Sequence, residues 1–323
     1  MLSRDDIKYR LDLWERVEKS IRQFFVDQKY REVRTPLLVA SPGMEPNLDP
    51  VAVEIKKITA GRGIESHRGG LITSPEYAMK KLLGAGLEKI FTITPVFRNI
   101  EKLGERWSIE FTMLEWYEQG ADYNHGMKQT GELVDAILGA KPWSRVSYVD
   151  EFTNTFSAHP DSIEIAKLHE LGSKYHVSME PGELRHELVD RLFASIVMPL
   201  LEKQHDRFFL CEYPVCCASL AKVGGDGHFA ERFEAYVQGL EICNGFTELT
   251  DGKEQRKRFE LEAIERKNAG KEVFPIDEEL LTRLSSVQNP TFGNALGVDR
   301  LVMLLAGVND IDAIHPFPPS QRF

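Results

Sequence analysis

Glu234, Glu241 and Glu248 recur at seven-residue intervals between Phe233 and Asp251, each set among apolar, strand-like residues. Carboxylates in such surroundings need cations. If Gln238 and Gly239 form the tip of a two-residue hairpin, Tyr236 lies opposite Glu241. Glu234 and Glu241 then share one face as diagonal neighbours about 7–8 Å apart. Two oxygen donors with no Cys or His beside them suit Mg2+ or Mn2+, with a substrate's phosphates completing the shell.

A second grouping is cationic. Gly293 and Gly297 flank Asn294, Ala295 and Leu296, after which Val298, Leu301, Val302 and Leu305 recur at helical spacing. Arg300 therefore falls in the first turn of a core-packed helix, where a cation opposes the helix dipole. The placement makes sense if an anion, phosphate above all, docks there on the guanidinium and the nearby amides.

The elements that must position these groups can be read in outline. Ile7, Leu11, Trp14, Val17, Ile21 and Phe25 predict an amphipathic first helix ending near Lys29, followed by extended Glu32 to Arg34 and Pro36. Thr73 to Glu76 has the layout of a helix start, with Ser74 as N-cap and Pro75 at the first position. An acid in that first turn has an ordinary dipole role, so Glu76 is equally explained without a ligand.

Lys89 to Arg98 and Glu110 to Tyr117 read as two strands around a charged loop. Alternation sends Phe111, Met113, Glu115 and Tyr117 to one face and Thr112, Leu114 and Trp116 to the other. Residues 143–205 read as a helical insertion rather than an independent domain. Strands are expected at Asp206 to Tyr213, Phe233 to Gln238 and Leu240 to Thr247, then a charged helix from Lys253 to Lys267 and a strand-turn-helix unit from Thr291 to Met303. Antiparallel hairpins with helices between them predict a mixed α/β (α+β) domain. No Walker loop, G-x-G-x-x-G or internal repeat is present.

Composition sets the outer bounds. The 323 residues, 42% of them hydrophobic, suffice for one large domain, and a formal charge of -10 argues mildly against a general nucleic-acid binder. The longest apolar run, Leu192 to Leu201, is interrupted by Ser195 and Pro199 and falls short of the ~20 residues a membrane helix needs. With no secretory leader in the N-terminal sequence, the expected location is the cytoplasm. Cys211, Cys216, Cys217 and Cys243 match no zinc spacing and read as buried free thiols.

Val96-Phe-Arg-Asn99 followed by Glu110-Phe-Thr-Met-Leu-Glu-Trp-Tyr117 resembles motif 2 of the class II aminoacyl-tRNA synthetases, and Ala295 to Leu304 resembles motif 3. Glu241 to Asp251 is similar to the lysyl-tRNA synthetase branch, and Glu32-Val-Arg-Thr-Pro36 resembles motif 1. The resemblance runs through nearly the whole chain, 1–323, as one catalytic domain without an OB-fold anticodon module. Within that branch it is similar to the shortened paralogues that ligate β-lysine to elongation factor P, in Thr112 to Tyr117, in His228 ahead of Ala230 to Glu234, and in Ala295 where synthetases carry Gly.

The resemblance implies roles. Arg98 clamps the α-phosphate of ATP and the substrate carboxylate, Arg300 holds the γ-phosphate, Phe111 stacks on adenine, and Glu234 and Glu241 hold Mg2+. Asn99, Glu101, Arg106, Ser108, Ile242 and Gly297 join the ATP site. Ser74, Pro75, Glu76, Glu115, Tyr117, Asn244, Phe246, Glu248 and Ala295 surround an amino acid with two ammonium groups. Strict alternation puts Asn244, Phe246 and Glu248 on the face opposite Glu241, so a kink or bulge is required, expected at Gly245. The chain departs from the family in the motif 2 loop, where Ile100 follows Asn99 and Arg106-Trp-Ser-Ile-Glu-Phe111 closes it. There Glu101 and Ser108 stand in for the usual acid and Asn, and Trp107 is free to meet a protein acceptor.

The implied reaction is activation of lysine or (R)-β-lysine as its adenylate and transfer to a lysine side chain of elongation factor P. A truncated synthetase acylating tRNA or a small acceptor, and a non-catalytic amino-acid sensor, are the other readings. Motif 1 implies a homodimer with Pro36 at the two-fold.

Overall fold

In a computed structural model the described residues are 2–59, 63–99, 105–180, 182–225, 227–288 and 290–322. The chain opens with helix α1 (Arg4–Asp27), capped by Ser3 and Asp6 in a reciprocal capping box. Its buried stripe is Leu13, Val17, Ile21 and Phe25, while Ile7 and Leu11 are exposed. The i, i+4 spacing from Leu13 carries the stripe away from Leu11, which points about 120° from Val17 at 100° per residue.

Strands β1 (Arg31–Glu32) and β2 (Leu38–Val39) follow, then β3 (Ala52–Thr59) and β4 (Gly63–Leu71). Helix α2 (Glu76–Gly84) leads to the long pair β5 (Lys89–Phe97) and β6 (Glu110–Gln119), helix α3 (Tyr123–Leu138) and strand β7 (Ser144–Ser147). Residues 148–204 are helical: α4 (Tyr148–Phe156), α5 (Ile165–Tyr175), α6 (Arg185–Leu192) and α7 (Met198–Gln204). A π turn, Phe193–Val197, joins the last two just ahead of Pro199, which has no N–H to donate back along the helix. Strands β8 (Arg207–Tyr213), β9 (Ala230–Val237) and β10 (Leu240–Thr247) precede helices α8 (Gly252–Asn268) and α9 (Glu278–Leu284). Strand β11 (Thr291–Gly297) runs directly into helix α10 (Val298–Ala306).

Eight strands form one sheet in the order β1-β5-β6-β11-β10-β9-β8-β7, parallel only at its two edges and antiparallel between them. The α+β expectation therefore holds. Strands β2, β4 and β3 form a separate small sheet that the sequence reading lacks. The reading also lacks β7, because Ser144-Arg-Val-Ser147 carries a single apolar residue and pairs only at the sheet edge. The helix predicted to be capped by Ser74 has Pro75 as its N-cap, so it starts one residue later.

The apolar alternates of the sheet settle which face is free. Leu114, Trp116, Phe233, Phe292 and Leu296 point into the main core with α1, α3 and α10. Their neighbours in each strand point to the opposite face, and it is there that the candidate site is built. Residues 148–204 enclose a second core around Phe152, Leu188, Leu192 and Phe208.

Candidate functional site

Register dictates which side chains share the free face. Phe111, Met113, Glu115 and Tyr117 of β6 pair with Val96, Thr94, Thr92 and Ile90 of β5. Across the sheet, Glu115 pairs with Ala295 and Tyr117 with Gly293, while Ala295 also pairs with Asn244 and Gly293 with Phe246. Ala295 therefore lies between Glu115 and Asn244 in one row. Gly293 is glycine for space: a β-carbon there would come within 2.2 Å of Glu248 Oε1 and 2.3 Å of Tyr117 Cε1.

The β9–β10 hairpin turns at Gln238 and Gly239, both with positive φ, as a type I′ tip requires. Tyr236 pairs with Glu241 as the pattern predicts. The register then slips between Glu241 and Cys243, and Asn244 pairs with Glu234. This bulge at Ile242, not a kink at Gly245, turns Glu241, Asn244, Phe246 and Glu248 to one face. Gly245 has a packing reason instead, since a β-carbon there would lie 2.8 Å from Asn294 and Phe233. Ile242 is 1% exposed, with its side chain packed in the main core.

Two arginines converge on Glu241. Arg300, in the first turn of α10, donates from Nη1 to the Glu241 main-chain oxygen at 2.5 Å and lies 3.5 Å from its carboxylate. Arg98 lies over the Phe111 ring at 5.3 Å and donates to the Thr73 carbonyl. Burial lowers the Arg98 pKa, opposed by Glu45, Glu241 and Glu115 and reinforced by Arg300. Burial raises the Glu241 carboxyl, Glu234 adds to the rise, and Arg300, Arg232 and Arg98 oppose it. Glu234 is held by Arg232 and the Tyr236 hydroxyl, each at 2.7 Å. Two mutually repelling carboxylates retain lone pairs for a cation, and among the described residues no group of three or more His, Cys, Asp and Glu is arranged to hold a metal ion. Such a pair fits Mg2+, which takes one or two protein carboxylates and leaves the rest of its shell to phosphates and water.

Beyond Arg98 the same face deepens into an acidic niche. Glu115, 1% exposed, accepts from Ser74 Oγ at 2.5 Å and from Tyr117 Oη at 2.7 Å. Glu76 and Glu248, 9% and 2% exposed, sit on either side of Lys80, whose Nζ is 2.5 Å from the first and 2.6 Å from the second. Pro75 is buried at the helix start, and Phe246 lies 5.4 Å from the Lys80 ammonium. Burial pushes the Glu115 and Glu248 carboxyls up, helped by Glu76 and opposed by Lys80. Burial alone lowers the Lys80 ammonium, but Glu248 and Glu76 more than reverse it, and the net shift is upward. The lysine stays charged because two acids flank it, whereas burial first and the neighbouring Glu76 second hold the Glu115 and Glu248 carboxyls up.

The structure thus brings together Arg98, Phe111, Glu241, Arg300 and Glu234, with Gly297 at the β11–α10 junction, and beside them Ser74, Pro75, Glu76, Glu115, Tyr117, Asn244, Phe246, Glu248 and Ala295. It sets others apart. Arg106 donates to the Gly239 carbonyl at 3.3 Å, bracing the hairpin tip, and Asn99 pairs with Asp49 on the wall of a separate cavity of about 500 Å3. Ser108 is buried, and Glu101 lies outside the described residues. Trp107, half exposed, has the Arg300 guanidinium 4.8 Å from its ring centroid.

Three charged side chains at the site escaped the sequence reading. Lys80 follows Glu76 by four residues, a spacing that places both on one helix face. Arg232, two residues before Glu234, is aligned with it by strand period. Glu45 carries no signal; it comes from a loop, and burial and Glu76 raise its carboxyl while Arg98 opposes.

Residues 1–321 match the family described as tRNA synthetases class II (D, K and N). The chain is 37% identical over 306 residues to an elongation factor P--(R)-beta-lysine ligase of Proteus mirabilis, covering 94% of this chain and 93% of that one. A protein of the same name from Pasteurella multocida is 38% identical over 298 residues, covering 92% and 91%. One from Salmonella heidelberg is 36% identical over 300 residues, again covering 92% and 91%.

Proposed function

The chain belongs to the class II tRNA synthetase family of the D, K and N type, and from that premise we propose that it is an ATP-dependent ligase for a diamino acid. Its substrate is lysine or (R)-β-lysine, its product the aminoacyl-adenylate, and its acceptor a lysine side chain of elongation factor P. The names of its relatives support (R)-β-lysine as the amino acid and elongation factor P as the acceptor. The observation that carries the reading is the adjacency, on one sheet face, of the Arg98–Arg300–Glu241 cluster and the three-carboxylate niche.

The chemistry follows from charge. In the first step an oxygen of the substrate carboxylate attacks the α-phosphorus of ATP and pyrophosphate leaves with the bond's electron pair. Negative charge accumulates on the phosphoryl oxygens, and fixed guanidinium groups stabilise it without reorganising. Arg98, between Phe111 and Glu115, is placed for the α-phosphate and the incoming carboxylate. Arg300 meets the outer phosphates at the start of α10. Mg2+ held by Glu234 and Glu241 would neutralise phosphate charge. In the second step the acceptor amine, having lost a proton, attacks the acyl carbon and AMP departs.

The niche orients the reactant. Glu76, Glu115 and Glu248 attract the two ammonium groups, and a neutral side chain would leave a buried carboxylate without its partner. The likeness to motif 1 supports a homodimer with Pro36 at the two-fold. We place the enzyme in the cytoplasm; among the described residues no helix is long and apolar enough to cross a membrane.

The test is ATP–pyrophosphate exchange across a panel of amino acids, followed by transfer of the labelled acyl group to elongation factor P or to tRNA. Exchange dependent on lysine or β-lysine with transfer to the protein supports the proposal. Transfer to tRNA alone would favour a truncated synthetase, and no exchange with any amino acid would favour a sensor.

A further inference from the structure

Lys80 is the least expected group in the niche. Its side chain is 4% exposed, and its ammonium bridges carboxylates from two different elements: Glu76 on its own helix and Glu248 just past the end of β10. Those are the acids that the proposed reaction needs for the substrate's ammonium groups. Resting on that reading, we propose that Lys80 is a specificity-determining residue: a resident ammonium that holds Glu76 and Glu248 in register and sets the niche's net charge to suit a diamine.

The charge count gives the reason. With all three ionised opposite a bound diamine, Glu76, Glu115 and Glu248 bring three negative charges and Lys80 one positive, leaving two, which matches a substrate with two ammonium groups whose carboxylate is met by Arg98. A monoamine leaves one buried negative charge unpaired. Without Lys80 the niche would hold three, and repulsion in a buried site favours proton uptake by the acids. The protonated niche would then attract a second ammonium poorly.

Among the described residues no other cation pairs with Glu76 or Glu248. Tyr117 and Glu115 face them from β6, Glu45 and Tyr77 crowd Glu76 from behind with Glu262 of α8, and Phe246 covers the ammonium from β10. Arg98 lies on the Glu115 side, toward the nucleotide. Lys80 is held between two acids that the substrate must also use.

The experiment compares wild type, Lys80→Met and Lys80→Arg in amino-acid-dependent ATP–pyrophosphate exchange from pH 7 to pH 9, with lysine, β-lysine and norleucine, alongside melting temperature. For Lys80→Met, KM for the diamines should rise at least about tenfold at pH 7 while kcat stays within about threefold. Relative to wild type, that penalty should shrink by pH 9 as the acids shed their protons, preference over norleucine should fall, and Lys80→Arg should recover most of the loss. A folded Lys80→Met enzyme with unchanged KM and selectivity would overturn the inference. So would a loss equal at pH 7 and pH 9 that arginine does not relieve, which marks a packing role. Wild type exchanging with no diamine at all overturns the functional reading as well, so the two failures are distinguishable.

Discussion

Glu248 rests on Gly293: a β-carbon added to that glycine would come within 2.2 Å of the carboxylate oxygen Oε1. Bare backbone of β11 is thus the floor on which the deepest acid of the niche lies, with Tyr117 against the same spot. Gly293→Ala should push Glu248 away from Lys80 and raise KM for lysine or β-lysine by about tenfold or more, a loss typical of a displaced buried ion pair. Exchange kinetics measured with a melting curve check this. An alanine enzyme with wild-type KM would mean that the niche is elsewhere.

Arg98, just past the end of β5, and Arg300, in α10, both bear on Glu241. Replacing either with Ala removes a fixed positive charge aimed at the reacting phosphates, and kcat for exchange should fall by roughly 100- to 1,000-fold, as for single oxyanion-site deletions. The measurement is kcat under saturating ATP and amino acid. An Arg300→Ala enzyme with kcat within a few-fold of wild type contradicts a phosphate role.

Glu241 is crowded by Glu234, and burial and that neighbour both raise its carboxyl. Glu241→Gln keeps the shape and halves the pair's charge, so the Mg2+ concentration giving half-maximal exchange should rise at least about tenfold. Titrating Mg2+ at fixed ATP distinguishes this from a general loss of turnover, which would leave the midpoint in place.

Glu262 supplies a pH prediction away from the chemistry. Burial, then Glu45, Glu265 and Glu76, raise its carboxyl to about 8, with Arg258 opposing. Between the ordinary glutamate value and about 8, the folded chain therefore binds a proton that the unfolded chain lacks, and stability must fall as pH rises through that window. Glu262→Gln abolishes this dependence. At pH 8.5 the variant should be more stable by roughly 1–3 kcal/mol, with little difference near pH 4, as read from denaturant unfolding at both values. A variant no more stable at the higher pH refutes the assignment.

Much of this arrangement was legible in the sequence where periodicity and turn chemistry act locally. The facing of Phe111, Met113, Glu115 and Tyr117 followed from strand alternation, and Gln238-Gly239 announced the tip that sets Tyr236 against Glu241. Arg300 in the first turn of α10 followed from helical spacing. What was not legible depends on tertiary neighbours. A bulge at Ile242 leaves no mark in a run of apolar residues, whereas Gly245 drew attention for conformational freedom and is instead glycine for lack of room. Lys80 looks like any polar position on a helix until Glu248, 168 residues away in sequence, closes over it. The Ser144–Ser147 strand is too short and too polar to be seen before β8 pairs with it.

The single unpaired residue at Ile242 makes β10 a reading frame. Glu241 lies on one side of it and Asn244, Phe246 and Glu248 on the other, so losing or gaining one residue anywhere in between would rotate one set of ligands into the oily interior while leaving the other in place. Drift in the length of this segment is therefore tolerable only in paired steps. A one-residue change here would therefore part the nucleotide half of the stretch from the amino-acid half, whatever happened to the loops on either side.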